Sequence, residues 1–242
     1  MIELHNEDCR SVLDSMIAQN KKVDLIITSP PYNMNLRVNN GKYVSRLRNK
    51  NHFKEFSTKY ANYTDDLSMD DYFSFQDEFI DKALKISNIV FYNIQFLTGN
   101  KIALLQLMGK YADKVKEIII WNKVNAQPAM QNGVLNSQYE FIIVFDNNKA
   151  YNRMFDKHNF NRGGETNVWD IKRERNEYIK AGFPKALIKR ILEDFTNEGD
   201  LIMDAFMGSG TAGIVCKELK RNFIGCELDT HYYEIAKKRI FN

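Results

Sequence analysis

Long apolar runs are missing from this 242-residue chain, and its first ten residues, Met1 to Arg10, carry charges. Neither a membrane-spanning helix nor a secretory leader is expected from such a pattern. Cysteine is scarce: Cys9, Cys216 and Cys226 are scattered, odd in number and without metal-ligand spacing. That excludes a disulfide framework and points to a reducing cytoplasm, with no metal site expected. Internal repeats and low-complexity tracts are absent too. The net charge of +3 neither demands nor excludes a nucleic acid, because distribution matters more than the sum.

What is present is enough apolar material, 44% of residues, for one large α/β domain. Val23 to Thr28 is a short apolar run halted by Ser-Pro-Pro, which reads as a buried strand because prolines cannot continue a ladder. Further strands are expected at Ile89 to Ile94, Ile118 to Trp121, Phe141 to Phe145, Leu201 to Phe206 and Phe223 to Glu227. Helical spacing marks Asp70 to Ile86, Leu104 to Tyr111, Lys185 to Phe195, Thr211 to Lys220 and His231 to Ile240. Strands alternating with helices imply a mostly parallel sheet covered on both faces. Residues 33 to 66 lack hydrophobic periodicity and read as a long mobile loop, of a length that is usually functional or disordered. Asp146 to Lys180, broken by Gly163-Gly164, reads as a second loop or small insertion.

The first loop is basic. Arg37, Lys42, Arg46, Arg48, Lys50, Lys54 and Lys59 face the single acid Glu55, with Tyr43, Phe53, Phe56 and Tyr60 interleaved. Basic residues alternating with aromatics suit contact with phosphates, although an ordinary solvated loop has the same look.

Two motifs fall at carboxyl ends of predicted strands, where α/β sheets hold their ligands. One is Asp204-Ala205-Phe206-Met207-Gly208-Ser209-Gly210-Thr211-Ala212-Gly213, a strand-to-helix turn whose glycines permit close approach of a ligand and whose helix amides can hold an anion. Glu227, at the end of the following strand, is placed to accept hydrogen bonds from ribose hydroxyls. Gly208, Gly210 and Gly213 also spell a dinucleotide fingerprint, so a nicotinamide oxidoreductase competes at this point. Only one helix follows Glu227, which argues against it. The other motif is Thr28-Ser29-Pro30-Pro31-Tyr32. Its prolines fix the backbone and hold an aromatic ring at a defined place. Such a segment suits the gripping of a flat substrate; a plain Pro-Pro turn is the bland reading.

Together the two motifs resemble the amino-methyltransferases that make N6-methyladenine or N4-methylcytosine in DNA. Their catalytic tetrapeptide is matched by Ser29 to Tyr32, and their cofactor motif by Phe206, Gly208, Gly210 and Thr211. The catalytic motif comes first, as in the permuted β class. Asn6-Glu7-Asp8-Cys9, Ile120-Trp121-Asn122-Lys123, Glu140-Phe141-Ile142 and Phe183-Pro184-Lys185 resemble further segments of that family, so the likeness spans nearly the whole chain. It implies a Rossmann-like methyltransferase fold in a single domain over 1–242. It implies S-adenosyl-L-methionine as cofactor and double-stranded DNA as substrate. Ser29, Pro30, Pro31 and Tyr32 would be catalytic: Ser29 and the Pro30 carbonyl accept hydrogen bonds from the amino group, and Tyr32 stacks on a flipped-out base. Asp8, Asp204, Phe206, Gly208, Ser209, Gly210, Thr211 and Glu227 would hold the cofactor. Trp121 lines the base pocket or is core, the latter being favoured, and Lys185 reaches the cofactor carboxylate or is simply exposed. The loops 33–66 and 125–180 would recognise DNA. The resemblance leaves open a homodimer, as relatives often are, and a cognate restriction endonuclease as a separate chain. Ser at the head of the tetrapeptide leans toward N4-cytosine over N6-adenine. Methylation of glutamine or of RNA fits less well, since those enzymes use Asn-Pro-Pro-Tyr with the glycine motif first. A silent DNA-binding module would have no need of the Ser29 to Tyr32 geometry.

If the first loop grips DNA, replacing Arg46, Arg48 and Lys50 together weakens binding and flattens its salt dependence, because fewer counterions are released. An unchanged slope of affinity against salt would remove that role.

Overall fold

The computed structural model describes residues 1–45, 64–128, 132–148, 152–174 and 182–242. Arg46, Arg48, Lys50, Phe53, Lys54, Phe56, Lys59 and Tyr60 of the basic loop lie outside the described residues.

The described residues form ten strands and six helices, in the order β1 (Ile2–His5), α1 (Cys9–Ala18), β2 (Leu25–Thr28), β3 (Leu36–Asn39), β4 (Lys42–Ser45), α2 (Met69–Ile86), β5 (Ile89–Ile94), α3 (Lys101–Lys110), β6 (Val115–Gln127), β7 (Ser137–Asp146), β8 (Val168–Asp170), α4 (Lys185–Phe195), β9 (Leu201–Asp204), α5 (Thr211–Glu218), β10 (Asn222–Cys226) and α6 (Thr230–Phe241). Eight of the strands form one sheet in the order β1-β10-β9-β2-β5-β7-β6-β8. Only β7 runs against the others, between β5 and β6. The expected mostly parallel sheet is therefore present.

Both faces of the sheet are covered, so its central strands are apolar throughout rather than alternating. In β2, Ile26 packs with Val90, Met203 and Ile224 under Leu13, Phe79, Ile80 and Leu104 of α1, α2 and α3. Its neighbours Leu25 and Ile27 turn the other way, toward Ile188, Ile191, Val215 and Ile240 of α4, α5 and α6. Local signals start several helices. Asp8 caps α1 by accepting from the Arg10 amide, Ser68 caps α2 by accepting from Asp71, and Asp229 caps α6 by accepting from His231.

Three expectations need correction. Residues 33–66 are not loop throughout: β3 and β4 form a hairpin, joined by Asn40-Gly41 with φ of 48° and 74°. That dipeptide adopts the two positive φ values that tight hairpins require. Secondly, β6 and β7 are much longer than the four- and five-residue cores predicted, and the region from Asp146 onward contributes the short strand β8 beside β6. Thirdly, β1 and α1 were not anticipated. Strand β1 is a half-buried edge of only four residues, too short for a clear period.

The sheet is pinned where β2 meets β9. Thr28 Oγ1 donates to Asp204 Oδ1 at 2.8 Å, and the same oxygen accepts from the Phe206 amide at 3.1 Å. Burial pushes the Asp204 carboxyl up from an ordinary 3.8 to about 7, against the lowering effect of those two donors. In the unfolded chain it loses its proton near 3.8, in the folded chain only near 7. Folded protein thus binds the extra proton between those values, and stability declines as pH rises through that window. Asp204→Asn should remove this decline while keeping an acceptor for Thr28. Relative to the variant, the wild type should lose on the order of a few kcal/mol between about pH 4 and pH 8, read from urea unfolding. Parallel pH dependences in the two proteins would show that Asp204 is ionised as an ordinary carboxylate.

Candidate active site

The element after β2 is held from both sides. Pro30 is buried, the Pro31 carbonyl accepts from Tyr72 Oη at 2.8 Å and from Gln76 Nε2 at 3.4 Å, and the Tyr32 carbonyl accepts from Asn100 Nδ2 at 2.8 Å. Tyr72 and Asn100 are themselves wholly buried. Because proline φ is fixed, tying these carbonyls sets the direction of the whole segment.

Tyr32 ends the element with its hydroxyl in a polar cluster. It accepts from Ser29 Oγ at 3.0 Å and from Asn93 Nδ2 at 2.7 Å, and donates to Glu140 Oε2 at 2.8 Å. Asn93 Nδ2 also reaches Glu140 Oε2, at 2.6 Å. Glu140 Oε1 pairs with Lys123 Nζ at 2.7 Å, and the side chains of both are nearly out of solvent, 12% and 3% exposed. Burial, with the Glu140 charge second, raises the Tyr32 hydroxyl well above its usual range, so it stays protonated. Asn93 Oδ1 is buried without a partner, and protein interiors leave few such atoms.

A cavity of about 480 Å³ opens beside the element, a size suited to a small-molecule ligand. Pro31 lines it, together with Ala205, Phe206 and Gly208 of the glycine turn, Glu227 and Leu228 after β10, Glu7 to Arg10, and the side of α2 carrying Asp71, Phe75 and Glu78. Phe206 packs on Phe79 and Phe75, with ring centroids 5.1 and 6.0 Å apart. Glu227 Oε2 accepts from the Gly208 amide at 2.9 Å and Oε1 from the Asp229 amide at 2.8 Å. With the Leu228 amide also bonded to it, the carboxylate keeps about one acceptor site for a ligand hydroxyl. Burial raises the Glu227 pKa, partly offset by those amides. Among the described residues that line the cavity, Glu7, Asp8, Asp71, Glu78 and Glu227 stand against the one cation Arg10. Apolar and aromatic walls, a hydroxyl-binding carboxylate and an acidic rim fit a nucleoside that carries a positive centre, as S-adenosylmethionine does at its sulfonium.

The remaining residues expected at the cofactor are arranged differently. Asp8 lines the cavity, but its carboxylate also caps α1 and pairs with Arg10 at 2.6 Å, and that hydrogen-bonded pair holds it below the usual carboxylate range. Asp204, Ser209, Gly210 and Thr211 stand behind the cavity wall rather than on it. Ser209 is bound by Arg239, and Gly210 has a φ of 79° with the space for a Cβ taken by Ala236, 2.9 Å away. These residues shape the turn that presents Phe206 and Gly208. Trp121 is core, its indole donating to the Ile171 carbonyl at 2.7 Å, and Lys185 is half-buried and paired with Glu218 rather than lining the cavity. Sequence reasoning missed Asn93 and gave Lys123 and Glu140 no role. A Lys and a Glu at the ends of two otherwise apolar predicted strands were the available signal.

A family model described as DNA methylase matches residues 23–238. The type II methyltransferase M1.MboII of Moraxella bovis is 26% identical, over 97% of this chain and 94% of its own length. M.HpaI of Haemophilus parainfluenzae is 25% identical, over 92% of this chain and 69% of its length. Among solved structures, the M1.HpyAVI–SAM complex matches with a TM-score of 0.67 at 25% identity, each chain fully covered. The cytosine-N4-specific PvuII DNA methyltransferase shares the fold, with a TM-score of 0.72 at 16% identity over all of this chain and 86% of that one. The competing nicotinamide reading of the glycine turn is thereby set aside. With the match running almost end to end, the chain belongs to the DNA methylase family, the S-adenosylmethionine-dependent enzymes that methylate cytosine N4 or adenine N6.

Proposed function

We propose that this chain methylates the N4 amino group of cytosine in double-stranded DNA, at a base turned out of the helix. The observation that carries the reading is one cavity lined both by Pro31 of the Ser29–Tyr32 element and by Glu227 and Gly208 of the cofactor motif. The two motifs therefore serve a single reaction centre. S-adenosylmethionine, when bound, supplies a methyl group activated by its sulfonium.

The chain supplies orientation. An amino nitrogen conjugated to a base is a poor nucleophile because its lone pair is delocalised into the ring. Ser29 Oγ and the Pro30 carbonyl accept hydrogen bonds from its two N–H groups, which favours a tetrahedral nitrogen with its lone pair directed away from both. Fixed acceptors of this kind need no reorganisation as positive charge develops. Tyr32, anchored through its hydroxyl, offers its ring face to the base. Chemistry on a base inside a duplex requires its extrusion, at a cost of a few kcal/mol. Arg37 and Lys42 of the hairpin, with the basic segment after it, are suited to the phosphates, and residues 125–180 form a second candidate recognition region. The Ser that heads the tetrapeptide supports cytosine over adenine by likeness to the family. The proposal includes a cognate restriction endonuclease as a separate chain, a reading supported by the type II description of the relatives.

Nucleoside mass spectrometry of DNA incubated with the protein and S-adenosylmethionine tests the reading. N4-methylcytosine should appear, and should be absent with Tyr32→Ala. N6-methyladenine instead would keep the reaction and overturn the base; no methylated nucleoside would overturn both.

Glu227 is assigned to the ribose hydroxyls. Glu227→Gln keeps its shape but loses the charge on the acceptor, and hydrogen bonds to charged groups contribute about 1.5–3 kcal/mol. Calorimetric Kd for S-adenosylhomocysteine should weaken by roughly ten-fold or more. An unchanged Kd would place the ribose elsewhere.

A further inference from the structure

The cluster around Tyr32 is more elaborate than gripping a base requires. Tyr32 Oη has one proton. A carboxylate can only accept and an amide NH₂ can only donate. With Glu140 Oε2 at 2.8 Å and Asn93 Nδ2 at 2.7 Å, that proton is committed to Glu140. Ser29 Oγ, 3.0 Å away, must then donate to Tyr32, which turns its own lone pairs outward to accept. The three groups form a directed chain, Ser29 to Tyr32 to Glu140, with a carboxylate at its end.

Amino-group methylation has a proton to dispose of. The nitrogen becomes cationic on gaining a fourth bond and must lose one hydrogen. A serine hydroxyl cannot retain a proton unless it passes on its own, and a proline carbonyl is no base.

We infer that Ser29, Tyr32 and Glu140 form a proton relay that carries the proton released from the methylated amino group to the Glu140 carboxylate. The N–H bond breaks as an O–H bond forms on Ser29 Oγ. The original Ser29 proton passes to Tyr32 Oη, and the Tyr32 proton passes to Glu140 Oε2. Both hydroxyls end with one proton each, the amine is neutral, and the carboxylate has become a carboxylic acid. Glu140, 12% exposed, returns the proton to water after turnover. Lys123 occupies Oε1 at 2.7 Å, which leaves Oε2 as the receiving atom, and Asn93 holds that atom and Tyr32 Oη together. The high pKa of the Tyr32 hydroxyl suits a group that hands a proton on without ionising.

The relay rests on the amino-methyltransferase reading, and its test separates the two. Single-turnover methylation of DNA is compared among wild type, Tyr32→Phe, Glu140→Gln and the double variant. Tyr32→Phe keeps the ring and removes only the relaying hydroxyl. Each single variant should slow transfer by roughly 100-fold, the scale of a lost general base, with cofactor Kd unchanged. The double variant should be no slower than either, since one chain is cut once or twice. A second readout needs neither cofactor nor DNA: with ¹³Cζ-labelled tyrosine, the Tyr32 NMR resonance should move in Glu140→Gln as its acceptor changes. Wild-type rate in Tyr32→Phe, additive losses in the double variant, or an unmoved Tyr32 resonance would each overturn the relay and leave the methyltransferase reading standing. A wild-type chain that methylates no DNA would sink the underlying reading, and the relay with it.

Discussion

Thr28 and Asp204 are 176 residues apart in sequence and 2.8 Å apart in space. Their hydrogen bond closes the seam between β2 and β9, and both motif-bearing segments leave the sheet at that seam. Ser29 to Tyr32 leaves one strand and Phe206 to Gly208 leaves the other, so neighbouring strands deliver the two halves of the site to one edge of the sheet. The bond is internal and its carboxyl is desolvated, and a buried polar pair of this kind is costly to break from one side only. Register is fixed as a result: a slip of β2 against β9 would separate Thr28 from its partner and turn Leu25 and Ile27 toward the wrong layer.

Much of this organisation was readable from the sequence because it is local. Pro30-Pro31 stops a strand wherever it stands, and the glycine turn requires a strand before it and a helix after it. Helices α2 and α4 declare themselves through apolar spacing, and α4 was bounded to the residue. What escaped was local but weak, or not local at all. The hairpin was signalled by Asn40-Gly41, yet the many Asn, Lys and Arg residues around that dipeptide hide the alternation of its strands. Asp8 illustrates the opposite difficulty. A cofactor role was drawn from likeness, while its capping of α1 is written in its position just before Cys9.

The polar cluster was illegible for a different reason. Tyr32, Asn93, Lys123 and Glu140 come from four separate strands or strand ends, and no spacing rule links them. Their meeting depends on β7 running against its neighbours. An antiparallel strand brings its beginning, not its end, to the edge where parallel strands finish, so Glu140 near the start of β7 arrives beside Asn93 near the end of β5. A sequence reading that assumes parallel strands throughout places Glu140 at the far edge of the sheet. The direction of one strand thus decides whether a carboxylate is available to the Ser29–Tyr32 element.

The order of strands in the sheet also dictates when the molecule can become itself. Among the described residues, β1 pairs with β10 alone, and β9 alone covers the edge of β2 that faces away from β5. A ribosome releases the chain from its N-terminus, so β1 and the edge of β2 that faces away from β5 emerge long before β10 and β9 exist. Non-local pairings of this sort form slowly and leave strand edges unprotected meanwhile. The nascent chain therefore carries its Ser-Pro-Pro-Tyr element without a pocket to serve until Phe206, Gly208 and Glu227 have emerged. The pocket can form only once β9 and β10 have taken their places between β1 and β2.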